Sequence, residues 1–308
     1  MKKAIRKLLG YFGYDFVKIA PTPFIKKEHK VQVGNFLLVM PAINPLIYVY
    51  RKKKDFAFEI GRIMLAVLQK YPQLRFIDVG ANVGDTAALI KSLKDIPVLG
   101  IEGDPFTFSY LQRNAGLFGD IRIFNNYLDE KDQAQRIAFD KEGWNTTLLP
   151  GEANGQQVEF VTLDTLLKKN VPDRQLYKLL KIDTEGYDTK ILRGSFAFIE
   201  EVKPVIYIEY NRDNMDAIKE DGLSTLLQME RFGYNKVLFY DDRGRFILST
   251  TLASRPLITD LHDYADGKNG LIYYYNICLF HSDDNDIAEY LIQKESERRK
   301  EPAKAFTR

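Results

Sequence analysis

One cysteine and three histidines in 308 residues leave this chain without the material for several common chemistries. A lone thiol cannot build a disulfide framework, and there is no CxxC pair to hold zinc. Three histidines are too few for a histidine-rich metal centre. No apolar run is long and clean enough to span a membrane: the most apolar stretch, Val31 to Tyr50, carries Gln32, Asn35, Asn44, Pro41 and Pro45. The opening MKKAIRKLLGYFGYDF starts with charges, as a secretory leader does. Arg6 and Lys7, however, interrupt Ile5, Leu8, Leu9 and Phe12 at helical spacing, so the segment predicts an amphipathic helix. The expected location is cytoplasmic, with residues 1–16 offering peripheral contact at the inner membrane face.

The chain does have the composition of a folded protein. Apolar residues make up 45% and charged residues 28%, which fits a globular chain rather than a disordered one. The length accommodates two domains or one elaborated α/β domain. The net charge of +2 is unevenly spread. Residues 1–75 hold 15 Lys and Arg against 4 Asp and Glu, a surplus of 11, so the remainder is acidic by 9. A basic front on an acidic body predicts attraction to an anionic or lipid-linked partner.

Residues 1–71 read as a basic extension with the amphipathic helix, short strands at Asn35–Met40 and Leu46–Tyr50, and a helix near Phe56–Lys70. From residue 72 to 285 the pattern becomes β-turn-α. Strands are predicted at Arg75–Val79, Val98–Ile101, Ile121–Phe124, Leu179–Ile182 and Val205–Tyr210, with helices at Asp85–Leu93, Phe106–Asn114, Tyr187–Phe198 and Leu223–Phe232. Closing strands are predicted at Lys236–Tyr240 and Tyr273–Phe280, joined by a long connection. This alternation predicts an α/β fold with a doubly wound, mostly parallel seven-stranded sheet. Between Arg136–Asp140 and Val158–Thr162 the segment EGWNTTLLPGEANG reads as a polar loop. Residues 286–308 read as a charged tail, helical before it frays.

Four motifs carry chemistry. In FIDVGANVG a strand bearing Asp78 runs into a turn where Gly80, Ala81, Asn82 and Gly84 bring backbone close to a ligand, ahead of a helix N-terminus. A dinucleotide site would have G-x-G-x-x-G there, and this turn lacks the glycine at the pyrophosphate. A ligand without phosphates and with an amino-acid end, such as S-adenosylmethionine, suits it better. In GIEGDP, Glu102 ends the second strand where a carboxylate accepts from ribose hydroxyls. In KIDTEGYD, Asp183 and Glu185 leave the fourth strand; helix-dipole complementation accounts for Asp188, whereas Asp183 falls where the strand delivers side chains to a crevice. In EYN, Glu209 and Asn211 close the fifth strand. Trp144, Asn145 and Thr146 in the polar loop offer an aromatic face and polar groups to a substrate. His262, His281 and Cys278 read as structural.

In this order the motifs FIDVGANVGD, GIEGDP, VEFVTLDTLL with LLKIDTEGYDTKILRG, and VIYIEYN resemble FkbM-family methyltransferases over residues 72–212. The resemblance implies the class I methyltransferase fold, S-adenosylmethionine as cofactor, and O-methylation of sugars in surface glycans or of secondary-metabolite hydroxyls. It implies Asp78, Gly80 and Gly84 around the methionine end, Glu102 on the ribose, Asn126 and Tyr127 beside the adenine, and Asp183, Glu185 and Gly186 beside the methyl group. Asp183, Glu185 and Glu209 are then the candidate bases for an acceptor hydroxyl. No metal is expected; a divalent ion held by these three carboxylates would be magnesium or manganese rather than zinc. The expected partner is a small-molecule or glycan acceptor rather than nucleic acid, since no Pro-Pro-aromatic motif follows strand four and Cys278 lies within a strand. Methylation of a ribose 2′-hydroxyl in RNA, or a cofactor-fold protein without catalysis, stay open on these residues.

Overall fold

Short apolar runs closed by glycine turns build one central sheet, described in a computed structural model over residues 27–52, 57–142, 145–150, 155–265 and 272–300. The strands are β1 (Glu28–Val33), β2 (Phe36–Pro41), β3 (Phe76–Val79), β4 (Val98–Glu102), β5 (Ile121–Asn125), β6 (Tyr127–Leu128) and β7 (Gln133–Glu142). They continue as β8 (Asn145–Pro150), β9 (Gln156–Val161), β10 (Leu179–Ile182), β11 (Val205–Tyr210), β12 (Tyr234–Tyr240), β13 (Phe246–Thr251) and β14 (Tyr275–His281). The sheet order is β13-β12-β14-β11-β10-β3-β4-β5. The run from β5 to β11 is parallel, while β14 is antiparallel to both β11 and β12. This is the class I methyltransferase fold that the motifs led us to expect.

The sheet has eight strands rather than the seven predicted. The extra one is β13, which forms a hairpin with β12 at the sheet edge. All six of its residues are half-buried, so it lacks the in-out alternation that marks a strand in sequence. Leu46–Lys52 is a helix, not a strand. Asn44 Oδ1 accepts the Leu46 amide at 2.9 Å and Pro45 follows it, a start signal that outweighs the β-prone side chains. The predicted helix at Tyr187–Phe198 is two, Asp188–Arg193 and Phe196–Val202. Between them Gly194 passes the Asp129 carbonyl so closely that a Cβ would sit 2.3 Å from it. Part of the polar loop is the strand β8, paired with β7 in a four-stranded sheet of order β6-β9-β7-β8.

Side chains alternate across the buried strands, so β3 sends Ile77 and Val79 to one core and Phe76 to the other. The first core holds Leu99, Ile182 and Ile208 under helices Leu163–Asn170 and Asp188–Arg193. The second holds Val98, Leu179 and Val205 under Phe58–Lys70 and Asp85–Leu93. The β1–β2 hairpin is clasped to this body by Asn114, which accepts the Val39 amide at 2.9 Å and donates to the carbonyls of Val39 and Val83. The charged C-terminal segment is helical over Asn285–Lys300 and buries Ile287, Ala288 and Leu291. Among the described residues no helix is long and apolar enough to cross a membrane. The amphipathic segment 1–16 lies outside the described residues.

Candidate active site

Strand order reverses on either side of β3, and in an open α/β sheet that is where a crevice opens at the strands' carboxyl ends. A cavity of about 320 Å³ occupies this edge, a size typical of small-molecule sites. Its wall includes Gly80, Asn82, Glu102, Asp183, Glu185 and Glu209, which come from four segments far apart in the chain.

The turn after β3 is shaped by Gly80, with φ at +78°. A Cβ there would lie 1.8 Å from the Asp183 carbonyl oxygen, so only glycine lets this turn pass the end of β10. The amides of Gly80 and Ala81 both donate to the Ile101 carbonyl, at 2.9 and 3.0 Å, and the Gly84 amide donates to Ala81. These three amides of the turn are thus engaged within the protein. The Asn82 amide donates to Glu102 Oε2 at 3.0 Å, and the Asp104 amide to Oε1 at 2.9 Å. Glu102 is thereby held at the mouth of β4 with one lone pair on each oxygen still open. Burial lifts its pKa to about 7 in spite of these two amides. Asn126 and Tyr127 line the same end, and Gly103 leaves room for the Tyr127 ring against the backbone.

Asp78 does not reach the cavity. It is the third residue of β3, fully buried on the second face, in register with Lys181 of β10. Lys181 Nζ stands 3.2 Å from Asp78 and 3.1 Å from Asp183, so one buried ammonium joins the interior acid to the cavity acid. Burial raises the Asp78 pKa to about 6 against the pull of Lys181. The polar row continues to Tyr207, whose hydroxyl donates to Glu59 at 2.7 Å. Lys181, Tyr207 and Glu59 went unassigned in the sequence; a lysine inside the otherwise apolar run LLKI was the available signal.

Asp188 is buried and accepts the amides of Thr184 and Gly186, each at 3.1 Å, which braces the loop carrying Glu185. Glu185 has φ at +54° and accepts from Asn214 Nδ2 at 2.8 Å. Burial, and then the charge of Asp183, push its pKa to about 7. Glu209 on β11 pairs in register with Asn276 on β14, and both line the cavity. Burial first, then Asp183, Glu185 and Asp188, raise the Glu209 pKa well above the carboxylate range. A carboxyl such as Glu185, with its pKa near neutrality, suits proton transfer.

Ala81 and Gly84 stand behind the wall: Ala81 is buried, and Gly84 packs on Leu111 and Phe118. Asn211 caps the helix Arg212–Ala217 by accepting the Asn214 amide, and does not line the cavity. Asn145 and Thr146 lie on β8 opposite Glu142 and Lys141, while Trp144 lies outside the described residues. Among the described residues no three acid, histidine or cysteine side chains converge as a metal-binding group, Asp183, Glu185 and Glu209 included.

The family profile described as "Methyltransferase FkbM domain" matches residues 78–236. Among solved structures, an FkbM methyltransferase from Methylobacillus flagellatus KT is 20% identical, with 57% of this chain and 43% of that one covered and a TM-score of 0.39. This chain therefore spans less than half of that protein's length. A putative caffeoyl-CoA O-methyltransferase from Staphylococcus aureus is 12% identical, with 76% and 90% covered and a TM-score of 0.40. A precorrin-6y C5,15-methyltransferase from Geobacter metallireducens GS-15 is also 12% identical, with 71% and 87% covered and a TM-score of 0.36. No curated protein matches this chain.

Proposed function

This chain belongs to the FkbM methyltransferase domain family, and from that premise we propose that it O-methylates a hydroxyl of a sugar in a surface glycan or glycan precursor, in the cytoplasm. The observation that carries the reading is a single cavity with Glu102 at one end and the Glu185 and Glu209 carboxyls at the other. Glu102 fits S-adenosylmethionine: its two oxygens are fixed by backbone amides, and each keeps a lone pair for a ribose hydroxyl. An acid-rich wall also favours a ligand bearing a sulfonium and an ammonium. When bound, S-adenosylmethionine supplies an already activated methyl group, so the protein's share is positioning and proton removal.

An alcohol becomes a good nucleophile only as its proton leaves. Asp183 and Glu185 are the first candidates to take that proton, with Glu209 next. Lys181 holds Asp183 in place by charge, and Asn214 holds Glu185 by a hydrogen bond. Glu209 and Asn276, side by side across β11 and β14, provide an acceptor and a donor for sugar hydroxyls.

Asp183→Asn is expected to abolish turnover while S-adenosylmethionine still binds, as read by calorimetry. Incubation with labelled cofactor and a panel of nucleotide sugars, lipid-linked glycans and RNA tests the acceptor. Label passing to RNA alone would refute the glycan reading, and failure to bind S-adenosylmethionine would refute the whole of it.

A further inference from the structure

The cavity wall is dominated by one sign of charge: Glu59, Asp85, Glu102, Asp183, Glu185 and Glu209 all line it. Two cations face them, Lys181 and Arg243. Lys181 is taken up between Asp78 and Asp183. The Arg243 guanidinium is exposed and has no ion pair or hydrogen bond among the described residues, although acids surround the space it borders.

Its backbone is held firmly. Arg243 lies in the turn between β12 and β13, where buried Asp241 accepts the amides of Arg243 and Arg245, both at 2.9 Å, and the Arg245 side chain at 2.7 Å. Arg62 donates to the Gly244 carbonyl at 3.1 Å. Gly244 rests on the Glu59 carboxylate so closely that a Cβ would fall 1.9 Å from Oε2. A clamped turn thus presents a spare guanidinium at the cavity. It does so at the opposite end from Glu102: β12 and β4 are five strand spacings apart in the sheet order, about 24 Å at about 4.8 Å each.

We propose that the acceptor carries an oxyanion, a phosphate or a carboxylate, and that Arg243 binds it and selects anionic over neutral sugars. The planar guanidinium fork matches either group with paired hydrogen bonds. The surrounding acids add orientation, because an anion placed deeper in the cavity meets Asp183 and is repelled. With the anion on Arg243, the sugar hydroxyls are left to Glu209 and Asn276. This inference rests on the methyl-transfer reading of the same cavity.

The test measures binding of a hexose 1-phosphate, a hexuronate and a neutral methyl hexoside to the full chain with S-adenosylhomocysteine present, by calorimetry. At least one anionic probe is expected to bind about tenfold or more tighter than the neutral one, and Arg243→Gln to erase that preference while Arg243→Lys keeps part of it. Which of the two anionic probes is preferred separates phosphate from carboxylate. S-adenosylmethionine affinity is expected to be the same in all three proteins. A wild-type chain with no preference for either anion overturns the inference, as does a preference that survives in Arg243→Gln. A loss of S-adenosylmethionine affinity in Arg243→Gln also overturns it, because the guanidinium would then serve the cofactor's own carboxylate. In each of those cases the methyl-transfer reading still stands on its own assay.

Discussion

Replacing Lys181 with methionine removes one charge and keeps most of the stem that fills the space between β3 and β11. Asp78 is then left fully buried, with neither carboxylate oxygen hydrogen-bonded and its counter-charge at 3.2 Å gone. Breaking a buried ion pair from one side costs about 3–5 kcal/mol. At about 2–4 °C per kcal/mol for a domain of this size, the melting temperature is expected to fall by about 10 °C. Asp78→Asn together with Lys181→Met is expected to recover most of that loss, since no charge remains stranded; Asp183 is exposed enough to be solvated by water. The loss also depends on pH in a fixed direction. Burial already lifts the Asp78 pKa to about 6, above its unfolded value of 3.8, and removing Lys181 lifts it further. A carboxyl with a raised folded-state pKa binds its proton more tightly when folded, so it destabilises progressively as pH rises through that range. The deficit of Lys181→Met relative to the wild type is therefore expected to be small near about pH 5 and to grow as pH rises towards about 8 and beyond. Thermal or urea melts at the two pH values measure it. An equal deficit at both, or a double variant no more stable than Lys181→Met, would refute the role assigned to this pair.

Gly80→Ala is expected to cost about 3 kcal/mol or more, because φ is +78° and the new methyl would meet the Asp183 carbonyl. Melting curves and S-adenosylmethionine calorimetry should both register it, and an unchanged melt would mean the turn can relax. For Glu102, whose pKa stands at about 7, affinity for S-adenosylmethionine is expected to rise with pH through that value, since ribose hydroxyls donate to the ionised carboxylate. Glu102→Gln is expected to bind about tenfold more weakly with that pH dependence flattened, as calorimetry across the neutral range would show.

Local pattern made most of the frame readable. Strands β3, β4, β10 and β11 are buried on both faces, so each appears as an apolar run closed by a glycine or an acid. Glu102, Asp183, Glu185 and Glu209 were readable as candidates because each follows such a run at its carboxyl end. Where reading by pattern failed, a specific contact had overruled it. Asn44 and Pro45 turned a β-prone run into a helix, and β13 at the sheet edge lacked the alternation that would have marked it. Asp78 read as a ligand-facing acid because its place within β3, one residue short of the end, decides which face it takes.

Most of the order of strands and turns, the doubly wound α/β sheet, and most of the acids at the cavity edge follow from the amino-acid sequence alone, because periodicity and turn chemistry act between residues close in the chain; the class I architecture was implied by the family resemblance of the motifs. The pairing of Lys181 with Asp78, the engagement of the turn amides by Ile101, and the placing of Arg243 across the sheet from Glu102 were decided only on folding. Each depends on strand register between segments up to more than a hundred residues apart, and on which carboxylates burial brings within a few ångströms of one another. Neither quantity is written in any local stretch of the chain.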